Sequence, residues 1–388
     1  MLTGLCLIRT PKRTNIVSCR RVLGLCSELL SSSSLPKTAS SPRTASSLSA
    51  PLSSPTRTYY TTSNIPMATP YVSEADRYLF DLNGYLVIKN VFTPEEVAAA
   101  NAVITSHMPS AQERTDDAVR NTKRGTPLAG DGKSGRIDLG GVLGWRAPGS
   151  ELFRSVLDHP SLVPYFHDFL GKGYRMDHMP FVIAQNKGSE GFSLHGGTID
   201  VSSGEYNHYL AYSCMHGVIR NSLLACSVVL SDHPAGSGGF AVVRGSHKSN
   251  FKAPTGMIDG LQHEEFVYQP VTSAGDVVLF SEGTVHGARP WTMDWQRRVC
   301  LYRFAPSTNC YGRSYLEEGT VGLGVGWPKE IYADDGLTDT QKAVLLPPYA
   351  NRLDRLVLKD DVREGTEVQS RSKEKKAFDK TVFGTEYF

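Results

Sequence analysis

No stretch of this 388-residue chain approaches the roughly 18 uncharged apolar residues that a membrane-spanning helix requires. Cysteine is scarce: seven residues, of which Cys6, Cys19 and Cys26 lie close to the N-terminus. The other four, Cys214, Cys226, Cys300 and Cys310, show no C-x-x-C spacing. They read as buried or free thiols in a reducing compartment rather than as a disulfide framework. An excess of one charge is also missing. The formal net charge is +2, too small to argue for a nucleic-acid partner or a membrane surface. Neither an internal repeat nor a phosphate-cradling glycine motif occurs.

What is present is enough apolar sequence for a core, 40% against 21% charged residues. Residues 1–66 stand apart. Eight basic residues (Arg9, Lys12, Arg13, Arg20, Arg21, Lys37, Arg43, Arg57) face one acid, Glu28, amid many serines. That composition is expected of an organelle transit peptide, mitochondrial or plastid, and Met67 is placed to start an untargeted, cytosolic form. A fold is expected over residues 71–358, followed by a charged, poorly ordered tail at 359–388.

Within 71–358, Phe80 to Ile88 reads as a turn into a short strand. Thr93-Pro94-Glu95-Glu96 then opens a helix, with Thr93 as N-cap, Pro94 in the first helical position and Glu96 closing a capping box. The helix is expected to reach His107. Residues 108–150 read as loops over the mouth of the core, and 152–170 as one or two helices with Pro160 and Pro164 as breakers. From Phe181 the chain changes to short β-type runs divided by glycine-rich turns: 181–185, 223–230, 238–243, 277–280 and 299–304. A last helix is expected near 340–346. The fold class that follows is mostly β with flanking helices around a double-sheet jelly roll of the cupin-like kind, a double-stranded β-helix.

The chemistry-bearing residues cluster in this β half. His195 follows the first run within Ser193-Leu194-His195-Gly196-Gly197, and His286 follows Gly275 to Phe280. A jelly roll can bring two such histidines onto facing strands, where imidazole suits Fe(II). Eleven residues after His286 comes Arg297, able to hold a carboxylate through two parallel charge-assisted bonds. Arg298 is its neighbour, so on a strand only one of the two points inward, and spacing favours Arg297.

With these residues in place, the chain from about Tyr71 to Ser307 resembles the phytanoyl-CoA dioxygenase (PhyH-like) family of Fe(II)/2-oxoglutarate oxygenases. The resemblance is carried by Phe80 to Ile88 with the Thr-Pro-Glu-Glu helix, Ser231 to Phe240, Arg244-Gly245-Ser246-His247-Lys248, and Gly275 to His286. It implies that His195 and His286 bind iron and that Arg297 binds 2-oxoglutarate. Gln185 is similar to an amide that contacts this co-substrate in relatives. The resemblance further implies that O2 is consumed and that an unactivated C–H bond of a small organic substrate is oxidised, hydroxylation being favoured. No catalytic side chain is expected beyond the metal centre. His247 is implied to be a turn residue, and His208 and His216 have no role assigned.

Three positions depart from the family pattern. Arg244 replaces a proline, Ala288 stands where relatives often have a hydroxyl, and Gly197 replaces the carboxylate two residues after the first histidine. Three arrangements answer the last. Asp200, or Glu205, reaches the metal from the following loop. Alternatively the site works with two histidines and a water or halide, chloride or bromide, at Gly197, as in iron halogenases. In the third, the metal is lost and the protein is a non-catalytic jelly-roll relative. The sequence names neither the substrate nor the oligomeric state.

Removal of residues 1–66 is expected to leave a soluble, folded protein, because this segment has too few periodic apolar residues to join a core. A thermal melt of the truncated protein checks this; a fall of many degrees would make the leader part of the fold.

Overall fold

In the computed structural model the described residues are 72–146, 148–312, 327–328, 331, 336–348 and 354–385. The proposed leader lies outside them. In chain order the elements are α1 (Glu74–Asn83), β1 (Tyr85–Ile88), α2 (Pro94–His107), β2 (Gln112–Glu113), β3 (Ile137–Leu139), α3 (Glu151–Ser155), α4 (Val163–Leu170), β4 (Arg175–Gln185) and β5 (Phe192–His195). Then come β6 (Tyr212–Met215), β7 (Val218–Asn221), β8 (Leu224–Val229), β9 (Gly239–Val243), α5 (Thr255–Ile258), β10 (Val267–Tyr268), β11 (Val277–Ser281), β12 (His286–Arg289) and β13 (Arg297–Ala305). The chain finishes with α6 (Asp339–Val344), β14 (Arg355–Leu358), β15 (Thr366–Gln369) and α7 (Lys373–Phe383).

Two antiparallel sheets form the jelly roll. The larger runs β1-β11-β8-β13-β4-β3-β2 and the smaller β10-β9-β12-β5. One face of the larger sheet packs on helices. Cys226, Val228, Cys300, Tyr302, Phe304 and Val182 join Val97, Val103 and Ile104 of α2, Phe153 of α3 and Phe166 of α4 in one buried cluster. Each such side chain contributes about 1.5–3 kcal/mol of apolar burial. The other face looks across at the smaller sheet, and the two enclose a cavity near one end.

The N-terminal signals of α2 act as the sequence implies. Thr93 Oγ1 accepts from Glu96 N at 3.2 Å, and Glu96 Oε2 accepts from Thr93 N at 2.8 Å. Several expectations shift. Phe80 to Asn83 belong to a helix, not a turn; Ser73 caps it, its hydroxyl accepting from Asp76 N at 3.0 Å. Residues 108–150 include β3, which joins the larger sheet beside β4. Pro164 opens α4 instead of breaking it, since the first helical turn needs no N–H there.

The tail at 359–388 is the clearest correction. Its described part forms a hairpin strand and a helix, not a disordered charged end. β15 pairs with β14 from Arg355↔Gln369 to Leu358↔Thr366. α7 begins at Ser372, whose hydroxyl accepts from Lys375 N, and Lys376 Nζ pairs with Asp354 at 2.6 Å. The composition is charged because the helix shows most of its surface to water, not because it lacks structure.

At the start of β4, Asp177 and Arg175 are both buried, with Arg175 Nη1 2.7 Å from Asp177 Oδ1. The same carboxylate accepts from Tyr311 N and Gly312 N at 3.1 and 2.8 Å. Burial alone would raise the Asp177 pKa, but His178 and Arg175 outweigh it and bring it down to about 2. A folded pKa below the unfolded value adds stability that is complete above the unfolded value and is lost as pH falls through the folded one. Asp177→Asn is therefore expected to cost about 3–5 kcal/mol near neutral pH. The gap from wild type should narrow as pH falls from about 4 towards 2. Denaturant melts across this range check both; a gap independent of pH would remove the charge pairing as its cause.

Candidate active site

The smaller sheet places the two histidines face to face. His286, the first residue of β12, is registered opposite His195, the last of β5. Their ring centroids are 4.3 Å apart and the planes are tilted by 52°. Each ring is oriented by its own strand: His195 Nδ1 bonds Ser193 O at 3.1 Å and His286 Nδ1 bonds Thr284 O at 2.7 Å. Because a carbonyl can only accept, each Nδ1 carries the proton and each Nε2 keeps its lone pair. Burial, then the neighbouring His286, lowers the His195 pKa to about 3. Burial also lowers that of His286. Both rings are thus neutral donors with their outer nitrogen fixed, the arrangement that ligating histidines adopt.

A carboxylate stands beside them that the sequence reading did not single out. Glu282, in the turn between β11 and β12, is 5% exposed. Its Oε2 lies 3.6 Å from His286 Nε2, and its Oε1 accepts from Arg303 Nε at 2.6 Å. Burial alone would raise the Glu282 pKa; Arg303, His286 and His195 outweigh it and hold it at about 2. Among the described residues no three His, Cys, Asp or Glu side chains form a ready metal-holding group. The cluster is a pair of imidazoles with a carboxylate engaged by an arginine. Two neutral imidazole nitrogens of this kind are donors that suit a divalent transition metal.

Across the cavity, β13 turns alternate residues inward. Arg297, Val299, Leu301 and Arg303 line a space of about 150 Å³ with Gln185 and Ile183 of β4, His195, His286 and Ala288. Arg297 is registered opposite Gln185 and donates from Nη1 to Gln185 Oε1 at 2.7 Å. Gln185 is fixed in turn, its Nε2 donating to Glu190 O at 2.5 Å. Arg297 is 5% exposed, yet among the described residues its Nε has no hydrogen-bond partner. Burial and then Arg136 depress its pKa to about 9. Its guanidinium lies against Gly239, where a Cβ would stand 2.6 Å from Nε, so only glycine leaves room. Arg298 points the other way, its Nη1 donating to Asn101 O and Thr105 Oγ1 of α2 at 3.0 Å.

Two residues singled out for the third ligand position lie elsewhere. Asp200 Oδ1 accepts from Ser202 N, Ser203 N and Ser203 Oγ at 3.0, 2.6 and 3.0 Å, capping its own turn. Glu205 is exposed. Neither lines the histidine cavity. Gly197 has a φ of +93°, and a Cβ there would meet Ile199 O and Val285 Cγ2 at 3.1 Å. It lines a separate cavity of about 340 Å³ with Thr198, Ile199 and Met257. The left-handed turn carries position 197 behind the histidines instead of beside them. His247 is structural, bonding Asp81 O through Nε2 at 2.9 Å, and Arg244 stacks over Tyr268 with 4.7 Å to the ring centroid.

Sequence signals for the missed residues exist. Glu282 lies four residues before His286, and Arg303 shares the two-residue period of Arg297, Val299 and Leu301. Arg136 bonds Asp138 through Nη2 at 2.9 Å and spans the Phe181 and Phe192 rings, but it falls in a stretch read as loop.

The family model for phytanoyl-CoA dioxygenase (PhyH) matches residues 80–299, more than half of the chain. No curated relative matches. Among solved structures the chain is similar to HygX from Streptomyces hygroscopicus, crystallised with nickel and 2-oxoglutarate. That likeness has 20% identity and a TM-score of 0.49, covering 65% of this chain and 95% of that one. It is also similar to iron-bound EctD from S. alaskensis, at 18% identity and a TM-score of 0.45, covering 69% and 86%. A third similar chain is SnoK, a non-haem α-ketoglutarate-dependent carbocyclase from nogalamycin biosynthesis, at 16% identity and a TM-score of 0.44, covering 69% and 98%.

Asp200→Ala is expected to loosen its loop by about 1 kcal/mol, the worth of a lost cap, and to leave divalent-metal affinity unchanged. Anaerobic Mn(II) titration checks it; a variant that no longer takes up metal would return Asp200 to the donor set.

Proposed function

From the premise that the chain belongs to the phytanoyl-CoA dioxygenase family, and so is a 2-oxoglutarate-dependent oxygenase, we propose that it hydroxylates a C–H bond of a small organic substrate. In that reaction one molecule each of substrate, O2 and 2-oxoglutarate gives the hydroxylated product, succinate and CO2. Bound iron would supply the activation of O2 and the coupled decarboxylation. The remaining tasks fall to the protein.

His195 and His286 hold the iron in this reading, through nitrogens already neutral and already aimed. Arg297 holds the distal carboxylate of 2-oxoglutarate. The observation that carries this assignment is the buried guanidinium lining one cavity with the imidazoles, its Nε without a hydrogen-bond partner among the described residues. A buried donor left unmatched costs about 1–3 kcal/mol, which an incoming carboxylate would recover. Gln185 keeps the guanidinium in place by occupying Nη1. Phe192, Phe240, Phe280, Val299 and Leu301 give the cavity apolar walls that exclude water from the reacting centre.

Two details support hydroxylation over halogenation. Gly197 opens onto the other cavity, so its missing side chain vacates nothing beside the imidazoles. An ionised carboxylate, Glu282, also lies 3.6 Å from His286 Nε2, so an anion already stands beside the pair. Retention of the imidazole pair and of the buried Arg297 speaks against a non-catalytic jelly roll.

Arg297→Lys is expected to keep Fe(II) binding and to weaken 2-oxoglutarate binding by about 1.5–3 kcal/mol, since lysine keeps the charge but loses the planar fork. Anaerobic titration, following the metal-to-ligand charge-transfer band, reads both affinities. Wild-type spectrum and turnover are expected to be indifferent to chloride. Equal co-substrate affinity in the variant would displace Arg297 from its role, and a chloride-dependent spectrum would restore the halogenase reading.

A further inference from the structure

A second cavity, of about 660 Å³, lies apart from the histidine pair and shares no residue with its lining. Its walls come from the end of α4, the β6–β7 hairpin, the segment leaving β13, and β14 with the segment after β15. Lys172, Arg220, Arg355 and Arg371 line it from different walls, among serine and threonine hydroxyls. Among the described residues no aspartate or glutamate lines it. We infer that this cavity is a second ligand site, for the phosphate monoester of a small polyol, of the sugar-phosphate class. Its volume lies within the roughly 300–1,000 Å³ of small-molecule sites, and nothing in it depends on the oxygenase reading.

Charge selects the phosphate. Lys172 Nζ is held by Asp360 at 3.1 Å and by Glu367 at 3.4 Å, and Arg371 is held by Asp379. None of these three acids lines the cavity, so they steady the cations from outside it. Arg355 is 5% exposed and donates from Nη1 to Pro347 O at 3.2 Å. Among the described residues Arg220 is tied only to its own strand, Nη1 donating to Ile219 O at 2.8 Å. Cations arriving from several directions match the acceptor oxygens of a tetrahedral phosphate better than a planar carboxylate. Side chains supply the donors here, so no glycine-rich loop is needed.

Asn221 selects the polyol. It is 1% exposed, and its Nδ2 donates to Phe169 O at 3.2 Å, which fixes the orientation of the amide. Oδ1 is left buried at the cavity wall without a hydrogen-bond partner among the described residues. An ionised phosphate has no proton to offer this acceptor; a hydroxyl on the same ligand does. The walls after β13 lie beyond residue 299, where the match to the family model ends, so the cavity is completed by chain outside the shared stretch. The competing account gives the cations only a structural task, fastening the C-terminal hairpin to the body around a water-filled recess.

The experiment is calorimetric titration of the full chain with glucose 6-phosphate, and separately with glucose and with inorganic phosphate. Expected is binding of glucose 6-phosphate that weakens with added salt, no heat with glucose, and inorganic phosphate bound at least about tenfold more weakly. Arg220→Ala, a change at an exposed side chain, is expected to lower glucose 6-phosphate affinity by about 10–100-fold with the thermal melt retained. Lys172→Ala, from another wall, takes its place if that variant does not fold. No heat with either glucose 6-phosphate or ribose 5-phosphate would overturn the inference. Equal affinity for inorganic phosphate and glucose 6-phosphate would overturn it too, leaving an anion site without the polyol. Unchanged affinity in the folded variants would leave the cations their structural task alone. An equal loss in Arg297→Lys would place the ligand in the histidine cavity and overturn it as well.

Discussion

The structure depends on β13 serving two environments at once. It is the central strand of the larger sheet, hydrogen-bonded to β4 on one side and β8 on the other. One face, with Cys300, Tyr302 and Phe304, is locked into the helix-covered core. The opposite face presents Arg297 and Arg303 to the cavity. Because side chains alternate strictly along a strand, a slip of one residue would bury guanidinium groups among phenylalanines. The apolar face therefore fixes the register, and the register delivers the two arginines to their stations.

Charge in the cavity is nearly closed by its own residues. Arg303 is matched by Glu282 and Arg136 by Asp138, which leaves Arg297 with a neutral amide. The interior is thus short of one negative charge around Arg297, and burial, then Arg136, lowers the pKa of its guanidinium. The cation keeps its place by packing flat on Gly239 and by a bond to Gln185. Position 239 is consequently tied to position 297: any side chain at one moves the other.

Much of this was legible in the sequence, and the failures have causes. The buried strands were legible because continuous apolar runs bounded by glycine turns permit little else, and α2 because its capping box is local. His195 and His286 could be set opposite one another because each sits at a strand end. Asp200 was weighed as a third donor on its nearness to His195 in the sequence. Asp200 is close in sequence, but two left-handed glycines swing its loop away. Glu282 is remote from His195 in sequence and comes beside the histidine pair only through sheet pairing, which no local pattern reports. The C-terminal segment was misjudged for a related reason: charge composition describes the exposed face of a helix as well as it describes a disordered tail.

The strand order of the larger sheet has a consequence for how the chain is made. β1, among the first elements synthesised, pairs with β11, so that Tyr85 waits for Phe280. β4 waits in the same way for β13, with Gln185 opposite Arg297. On a ribosome, the first two-thirds of the protein leaves the exit tunnel with its principal sheet lacking two inner strands. Closure of such long loops is slow, and unpaired strand edges stay open meanwhile. A nascent chain that stalls before Val277, the start of β11, would display β8 unpaired on both sides, an edge suited to joining another copy. The demand this fold places on cellular chaperones is thus set by the distance between its pairing partners.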